Sequence, residues 1–300
     1  MNKPTLVLHH EEWTSFKSDY LEPVWKNYFN IEIFNKNKTY NKNDCIFVVN
    51  CFKTNDWVTA FYNEGYKVLI DNLWEAPMRL HKLPNAYTLL NKNWFWYNES
   101  LLYKSFQYDY YTPNKTYEKL ALMLIRKATH DRTLLFNNLT NHLNNFLYSY
   151  VDKNIFMQGE EPTNIQTRHV ESSWYDRTCF SLVVESYIRG ATVVTEKTFK
   201  AIAFKHPFII YGGYNILSLL RTMGFETYDN LFDETYDKII NVDEKIKKLI
   251  DNINNYKNVP YDTITLGKIE HNYNLFYNTS LVLDKVKKEI IDPILEYVEN

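Results

Sequence analysis

Two stretches in the second half of the chain gather acids, lysines and hydroxyls where backbone groups are also free to bind. Phe180 to Ser186 (FSLVVES) reads as a buried strand that ends at Glu185. Thr195 to Gly213 (TEKTFKAIAFKHPFIIYGG) opens a helix with Thr195-Glu196-Lys197, then returns as an apolar strand that stops at Gly212-Gly213. The first turn of a helix carries unpaired amides and the positive end of the dipole, so an anion such as a diphosphate is favoured there. Lys197 then suits neutralisation of charge developing on a departing diphosphate, and Glu196 or Glu185 suits hydrogen bonds from ribose hydroxyls. Such an arrangement requires no metal, and no Asp-x-Asp element ends a strand to hold one. The same residues also have an ordinary reading. Thr195 is a good N-cap, Glu196 a favourable first-turn acid, Lys197 and Lys200 solvated lysines, and TFKAIAF an amphipathic helix.

Other clusters carry less. His9-His10-Glu11-Glu12 follows an apolar run, but adjacent histidines on a strand point to opposite faces and do not form a joint metal site. Solvated loop residues are the simpler reading, with His10 or Glu12 available to touch a substrate. Asp71-Asn72 closes the strand-like run Tyr66 to Ile70 and reads locally as a turn. Trp74, Trp94 and Trp96 read as core or cleft-wall residues, with sugar stacking as a second use.

The elements that must hold these residues alternate. Thr5 to Leu8 and Cys45 to Val49 are β-prone, with an amphipathic stretch around Tyr20 to Tyr28 between them. Helical spacing over Asp56 to Asn63 turns at Glu64-Gly65 into the strand ending at Ile70, and Tyr87 to Leu90 is another strand. Strand, helix and strand with short connections is the pattern of a parallel sheet covered by helices. Tyr108 to Thr116 (YDYYTPNKT) has the composition of a linker. A second cycle follows it: a strand at Leu120 to Ile125, a helix over Arg132 to Leu147, strands at Asn154 to Met157, Phe180 to Val184 and Thr192 to Thr195, a helix from Glu196 to Phe204 and a strand at Pro207 to Tyr211. Beyond Glu234 the chain is mainly helical, and Pro293 is expected to bend or stop the last helix. The expected organisation is two Rossmann-like α/β domains facing a central cleft, residues 1–113 and 114–280, with a C-terminal helix at 281–300 that packs back on the first.

Composition narrows the classes. Three hundred residues with 45% hydrophobic and 23% charged side chains suit two globular units and not disorder or a coiled coil. The 25 Tyr and 18 Phe beside only 7 Gly match an AT-rich coding bias. A net charge of -2 gives no general pull toward nucleic acid or an anionic membrane. Cys45, Cys51 and Cys179 are too few for a disulfide framework and suit a reducing, cytoplasmic setting. No apolar run approaches the ~20 residues of a membrane span, and the start MNKPTLVLHHEEW is unlike a secretory signal.

With those residues in view, the second half resembles the nucleotide-binding domain of the α1,3-fucosyltransferase family. That family's strand reads roughly Phe-x-Leu-x-x-Glu-Asn-Ser, followed by a spacer, Thr-Glu-Lys, a helix, and a Pro-Val strand ending in Gly. Here the matching residues are Phe180, Leu182, Glu185 and Ser186, then Thr195-Glu196-Lys197, then Pro207 to Gly212. The family's preceding lysine, apolar strand and helix-opening arginine are matched by EKLALMLIRKATHDRTLLFNNL, which puts the arginine at Arg132. Departures are Ser186 where the family has Asn, and HPFIIYGG in place of its usual wording. The likeness spans about Lys119 to Tyr236.

The resemblance implies a GT-B-like fold and a glycosyltransferase that needs no cofactor beyond its nucleoside diphosphate sugar, GDP- or UDP-linked. It implies that Arg132 and Lys197 grip the diphosphate and that Glu196 binds the ribose; Glu185, Thr195 and Lys200 complete the donor-side set. VLIDNLWEAP resembles the family strand that supplies the base of an inverting reaction, which puts that role on Asp71, with Glu75 in reserve. His10, Glu12 and Trp74 are the expected acceptor contacts. The acceptor is a glycan or, should the AT-rich chain come from a phage and act in its host's cytoplasm, a hydroxymethylated DNA base, toward which the basic stretch Lys36 to Lys42 (KNKTYNK) points. A non-catalytic nucleotide-sugar-binding module is the alternative. The sequence implies no membrane partner and leaves the oligomeric state open.

Overall fold

The computed structural model describes residues 3–8, 21–43, 45–50, 54–72, 86–90, 93–104, 117–157, 171–190 and 192–299. They fall into two compact units, Met1–Leu102 together with Asn278–Asn300, and Tyr103–Tyr277.

In the first unit, β1 (Thr5–Leu8), α1 (Glu22–Trp25), β2 (Asn30–Ile33), β3 (Cys45–Asn50), α2 (Thr54–Asn63), β4 (Lys67–Asn72), β5 (Ala86–Leu90) and α3 (Trp94–Lys104) follow one another, α3 running on to the division between the units. Every strand pairing is parallel, in the order β2-β1-β3-β4-β5. That is a doubly wound sheet whose winding reverses between β1 and β3. Its core is aromatic: Phe47 stacks on Phe61 with ring centroids 4.0 Å apart, beside buried Val7, Val68 and Ile70.

In the second unit the order along the chain is β6 (Lys119–Ile125), α4 (His130–Asn138), β7 (Phe146–Tyr150), α5 (Ser172–Asp176), β8 (Thr178–Val184), α6 (Glu196–Ala203), β9 (Phe208–Tyr211), α7 (Ile216–Thr222), α8 (Val242–Asn255) and α9 (Thr263–Phe276). The sheet is again parallel, β7-β6-β8-β9, so its winding reverses between β6 and β8. All seven residues of β8 are buried, as expected of a parallel strand covered on both faces. The apolar side of α6 packs on α9, with Phe199 stacked on Phe276. Thus each unit is an α/β layer structure built on a parallel sheet.

The chain closes with α10 (Thr279–Val286) and α11 (Asp292–Glu299), both in the first unit. The Tyr297 ring stacks on Tyr87, and its hydroxyl donates to the Val68 carbonyl at 3.2 Å. Pro293 neither stops nor breaks this helical run. A π turn over Lys287–Ile291 precedes it, with the Asp292 amide reaching the Lys287 carbonyl, and the wider turn accommodates a residue that has no amide to donate.

Three expectations change. The helix expected over Arg132 to Leu147 ends at Asn138, and the aromatic run after Asn145 forms strand β7. Asn154 to Met157 is not a strand: Asn154 adopts a left-handed φ of 56°, and Ile155 makes only an isolated bridge back to Tyr150. Thr192 to Thr195 forms no strand, and the Thr195 amide donates to the Glu185 carboxylate. No helix among the described residues is long and apolar enough to cross a membrane.

Candidate active site at the carboxyl ends of β6 and β8

Where an open parallel sheet reverses its winding, the loops leaving two adjacent strands part and leave a crevice outside their carboxyl ends. In the second unit those loops follow β6 and β8. The β6 loop leads to α4, capped by Thr129, whose hydroxyl accepts from the Arg132 amide at 3.4 Å. The β8 loop begins at Glu185 and runs toward α6, capped by Thr195 in the same manner.

Arg132 crosses from α4 to the end of β8. Its Nε and Nη2 donate to the Glu185 carbonyl at 3.0 and 2.9 Å, and Nη1 donates to the Lys127 carbonyl at 3.2 Å. Burial pushes its pKa down while Glu185 and Glu196 push it back, and guanidinium basicity keeps the group charged. One residue further on, Ser186 accepts from Lys197 Nζ at 3.2 Å. The ammonium also donates to Thr195 Oγ1 at 3.2 Å and to Glu196 Oε1 at 2.7 Å. The two cations therefore meet on consecutive residues, Glu185 and Ser186, at one strand end.

The two acids differ. Glu185 is 0% exposed, and its carboxylate is filled by the protein. Oε1 accepts from the Thr195 amide at 3.0 Å and the Thr198 hydroxyl at 2.7 Å; Oε2 accepts from the Thr195 hydroxyl and from the Ser186 amide at 3.3 Å. Four protein donors leave it no free edge for a ribose, so it positions α6 instead of touching a ligand. Glu196 is also largely enclosed, its side chain 11% exposed, but its carboxylate pairs with Lys197. Burial disfavours its ionised form, but Lys197 and Lys200 outweigh that and hold its carboxyl below the usual range. Lys200, mostly buried one turn along α6, thus adds positive potential behind the first turn. Arg132, Lys197 and Lys200 against Glu185 and Glu196 leave an excess of positive charge for an incoming anion.

Gly212 closes the neighbouring strand end. A Cβ there would lie 2.7 Å from Ile216 Cδ1, so a side chain at this position would require the Ile216 side chain to move. Asp237 accepts from the Leu217 amide at 3.2 Å, so the start of α7 is occupied by the chain's own carboxylate.

Asp71 is the penultimate residue of β4, in register with Asn50 and Leu89, at the carboxyl end of the first sheet. His10, Glu12, Trp74 and Glu75 lie outside the described residues. In the basic stretch Lys36 to Lys42, Lys38 pairs with Glu32 and Lys42 bonds the Glu64 carbonyl, so two of its lysines are engaged within their own unit. Thr129, Thr198 and Ser186 were not among the expected ligand or catalytic residues; Thr198 had one sequence signal, a hydroxyl three residues past an N-cap and hence on the face that looks back at the strand.

No protein-family model matches the sequence, and no curated protein matches it. Among solved structures the chain is similar to one described as "Crystal Structure of alpha1,3-Fucosyltransferase", with a TM-score of 0.48 and 12% identity over 96% of this chain and 90% of that one. At that level the functional reading rests on the residues of this chain.

Proposed function

We propose that this chain is a glycosyltransferase that moves a sugar from a nucleoside diphosphate donor to an acceptor hydroxyl with inversion and without a metal. The observation that carries the reading is the meeting of the Arg132 guanidinium and the Lys197 ammonium on adjacent residues at the reversal point of the second sheet. Two cations from separate helix starts match a pyrophosphate, whose charge grows on one side as the bond to the sugar breaks. Glu196, beside Lys197, is suited to take the ribose hydroxyls. An inverting reaction also needs a carboxylate to accept the acceptor's proton, a role we assign to Asp71 with Glu75 in reserve.

The test is a panel of nucleotide sugars incubated with the full chain, with and without chelator, scoring donor hydrolysis and thermal stabilisation. A transferase releases some sugar to water, at the same rate in chelator; a binding module raises the melting temperature of its complex without turnover. Stabilisation by no nucleotide or sugar nucleotide refutes the assignment. Asp71→Asn is expected to lower transfer on the order of 10²- to 10⁴-fold while leaving donor affinity unchanged.

A further inference from the structure

The turn after β9, Gly212-Gly213-Tyr214-Asn215, is held by two buried charged side chains that the donor site does not itself use. Lys245 lies on α8, and its ammonium donates to the Gly212 carbonyl at 3.0 Å. Asp237 lies in the 3₁₀ turn Glu234–Lys238. Its carbonyl accepts from the Asn215 amide at 3.0 Å, and its carboxylate accepts from the Leu217 amide at 3.2 Å. A further bond comes from the β8 loop, where the Thr192 hydroxyl donates to the Tyr214 carbonyl at 2.7 Å. Held this way, Asn215 keeps a left-handed φ of 59°, a conformation that few residues other than glycine adopt.

Folding stability does not account for this clamp. Among the described residues the Lys245 ammonium has a single hydrogen-bond partner and Asp237 Oδ1 has none, although both side chains are buried. The two make no direct ion pair. Burial pushes the lysine pKa down, and Asp237 pushes it back. Burial likewise pushes the Asp237 carboxyl up, against the Leu217 amide and Lys245. Charges buried in this manner are often no better for stability than apolar side chains of similar size. What they fix is position, and the turn carries both ends of the β8 loop. The Tyr211 carbonyl, just before Gly212, accepts from the Glu185 amide at 2.9 Å. Gly212 lies against Glu185, since a Cβ there would be 3.5 Å from Glu185 Cβ. Tyr214 holds Thr192, close before the Thr195 cap. Glu185 in turn aims Arg132 with its carbonyl and holds Thr195 with its carboxylate.

We propose that Lys245 and Asp237 are positioning residues for the donor site: by clamping the turn after β9 they set the spacing of Glu185 and Thr195, and through them that of Arg132 and Lys197. This deepens the donor-site reading above and rests on it. The coupling runs through a contiguous series of bonds, from α8 to the end of β9, from there to the end of β8, and so to the two cations.

The experiment measures amide hydrogen exchange of the free protein and calorimetric binding of inorganic pyrophosphate, on the full chain and its Lys245→Met, Asp237→Asn and Lys248→Met variants. Methionine keeps an unbranched stem without the charge, and asparagine keeps an acceptor for the Leu217 amide. Lys245→Met is expected to melt cooperatively, to lose protection on the order of tenfold at the Glu185 and Thr195 amides, and to bind pyrophosphate about tenfold more weakly. Asp237→Asn moves both readouts the same way by a smaller factor, and it decides the matter should Lys245→Met not fold. Lys248→Met, which breaks the exposed pair with Asp233 on the same helix, changes neither. Unchanged pyrophosphate affinity in the clamp variants overturns the proposal and leaves Lys245 and Asp237 a structural brace. Weaker binding with full protection at Glu185 also overturns it, by making Lys245 a ligand contact. An equal loss in Lys248→Met does the same, by making the effect one of charge alone. Failure of the wild type to bind pyrophosphate refutes the donor site and the positioning role with it, while the exchange of the Glu185 amide still reports whether the clamp holds the β8 loop.

Discussion

The two ends of β8 hold polar networks of opposite kinds. At the amino end, His206 is buried, donates from Nε2 to the Thr178 carbonyl at 2.8 Å and accepts at Nδ1 from the Ser181 hydroxyl at 2.8 Å. A carbonyl can only accept, so Nε2 carries a proton, and burial, which lowers the pKa to about 4, keeps the ring neutral with Nδ1 as the acceptor. At the carboxyl end, the Glu185 carboxylate, the Arg132 guanidinium and the Lys197 ammonium share a few residues. The first network is closed and neutral. The second is charged, and it reaches solvent in part through Lys197. A serine and a histidine in bonding contact suggest nucleophilic chemistry on paper, but sealed inside the unit they can only hold β8 to the turn before β9. Chemistry requires the end where charge and access coincide.

Glu185→Ala is the severest way to break the contrast. It strands the Thr195 and Ser186 amides and two threonine hydroxyls and takes from the buried Arg132 guanidinium its strongest counter-charge, and is expected to cost about 3–5 kcal/mol of stability in denaturant unfolding. A cost under about 1 kcal/mol would mean that Glu185 does not anchor α6. Next comes Lys197→Ala, whose side chain is only partly buried. It should leave the melting temperature nearly unchanged and lower turnover on the order of 10²- to 10³-fold, about 3–4 kcal/mol of transition-state stabilisation. Wild-type turnover in that variant would take the lysine out of the reaction.

The amino end should respond to acid and not to substrate. Burial lowers the His206 pKa to about 4, whereas an unfolded histidine titrates near 6.5. A depressed folded pKa means that the unfolded chain takes up the proton first. The neutral histidine's contribution is thus fully present above about pH 6.5 and is lost as pH falls toward 4, by about 3 kcal/mol in all. Melting temperatures followed across that window should fall, and the slope should flatten in His206→Gln; an equal slope in both proteins would assign the acid sensitivity elsewhere. Smallest is Ser181→Ala, which removes one buried hydroxyl and should cost about 1 kcal/mol with kcat and KM unaltered. A change in kcat there would show that the amino end communicates with the site.

Much of this was legible locally. Thr5–Leu8 and Thr178–Val184 announce themselves as runs of β-prone residues, and α6 begins at Thr195 because a threonine cap and a first-turn acid need no distant partner. Strand β7 was not legible, since FLYSY continues a helical spacing until pairing with β6 decides the matter. Strand β2 is another such case: NIEI is short and half-exposed, and only its register against β1 makes it a strand.

The same division holds at the site. By itself the sequence determined that a strand ending in an acid precedes a capped helix start bearing an acid and a lysine, because strand runs, caps and helical periodicity are short-range effects. It did not distinguish Glu185 from Glu196, two acids eleven positions apart at element ends. Tertiary structure alone decided that the first is enclosed by four protein donors while the second pairs with Lys197, and that Arg132 reaches from the first turn of α4 to the carbonyl at the end of β8. The reason is physical: a carboxylate's role depends on which donors surround it, and here those donors come from segments that only the winding of the sheet brings together.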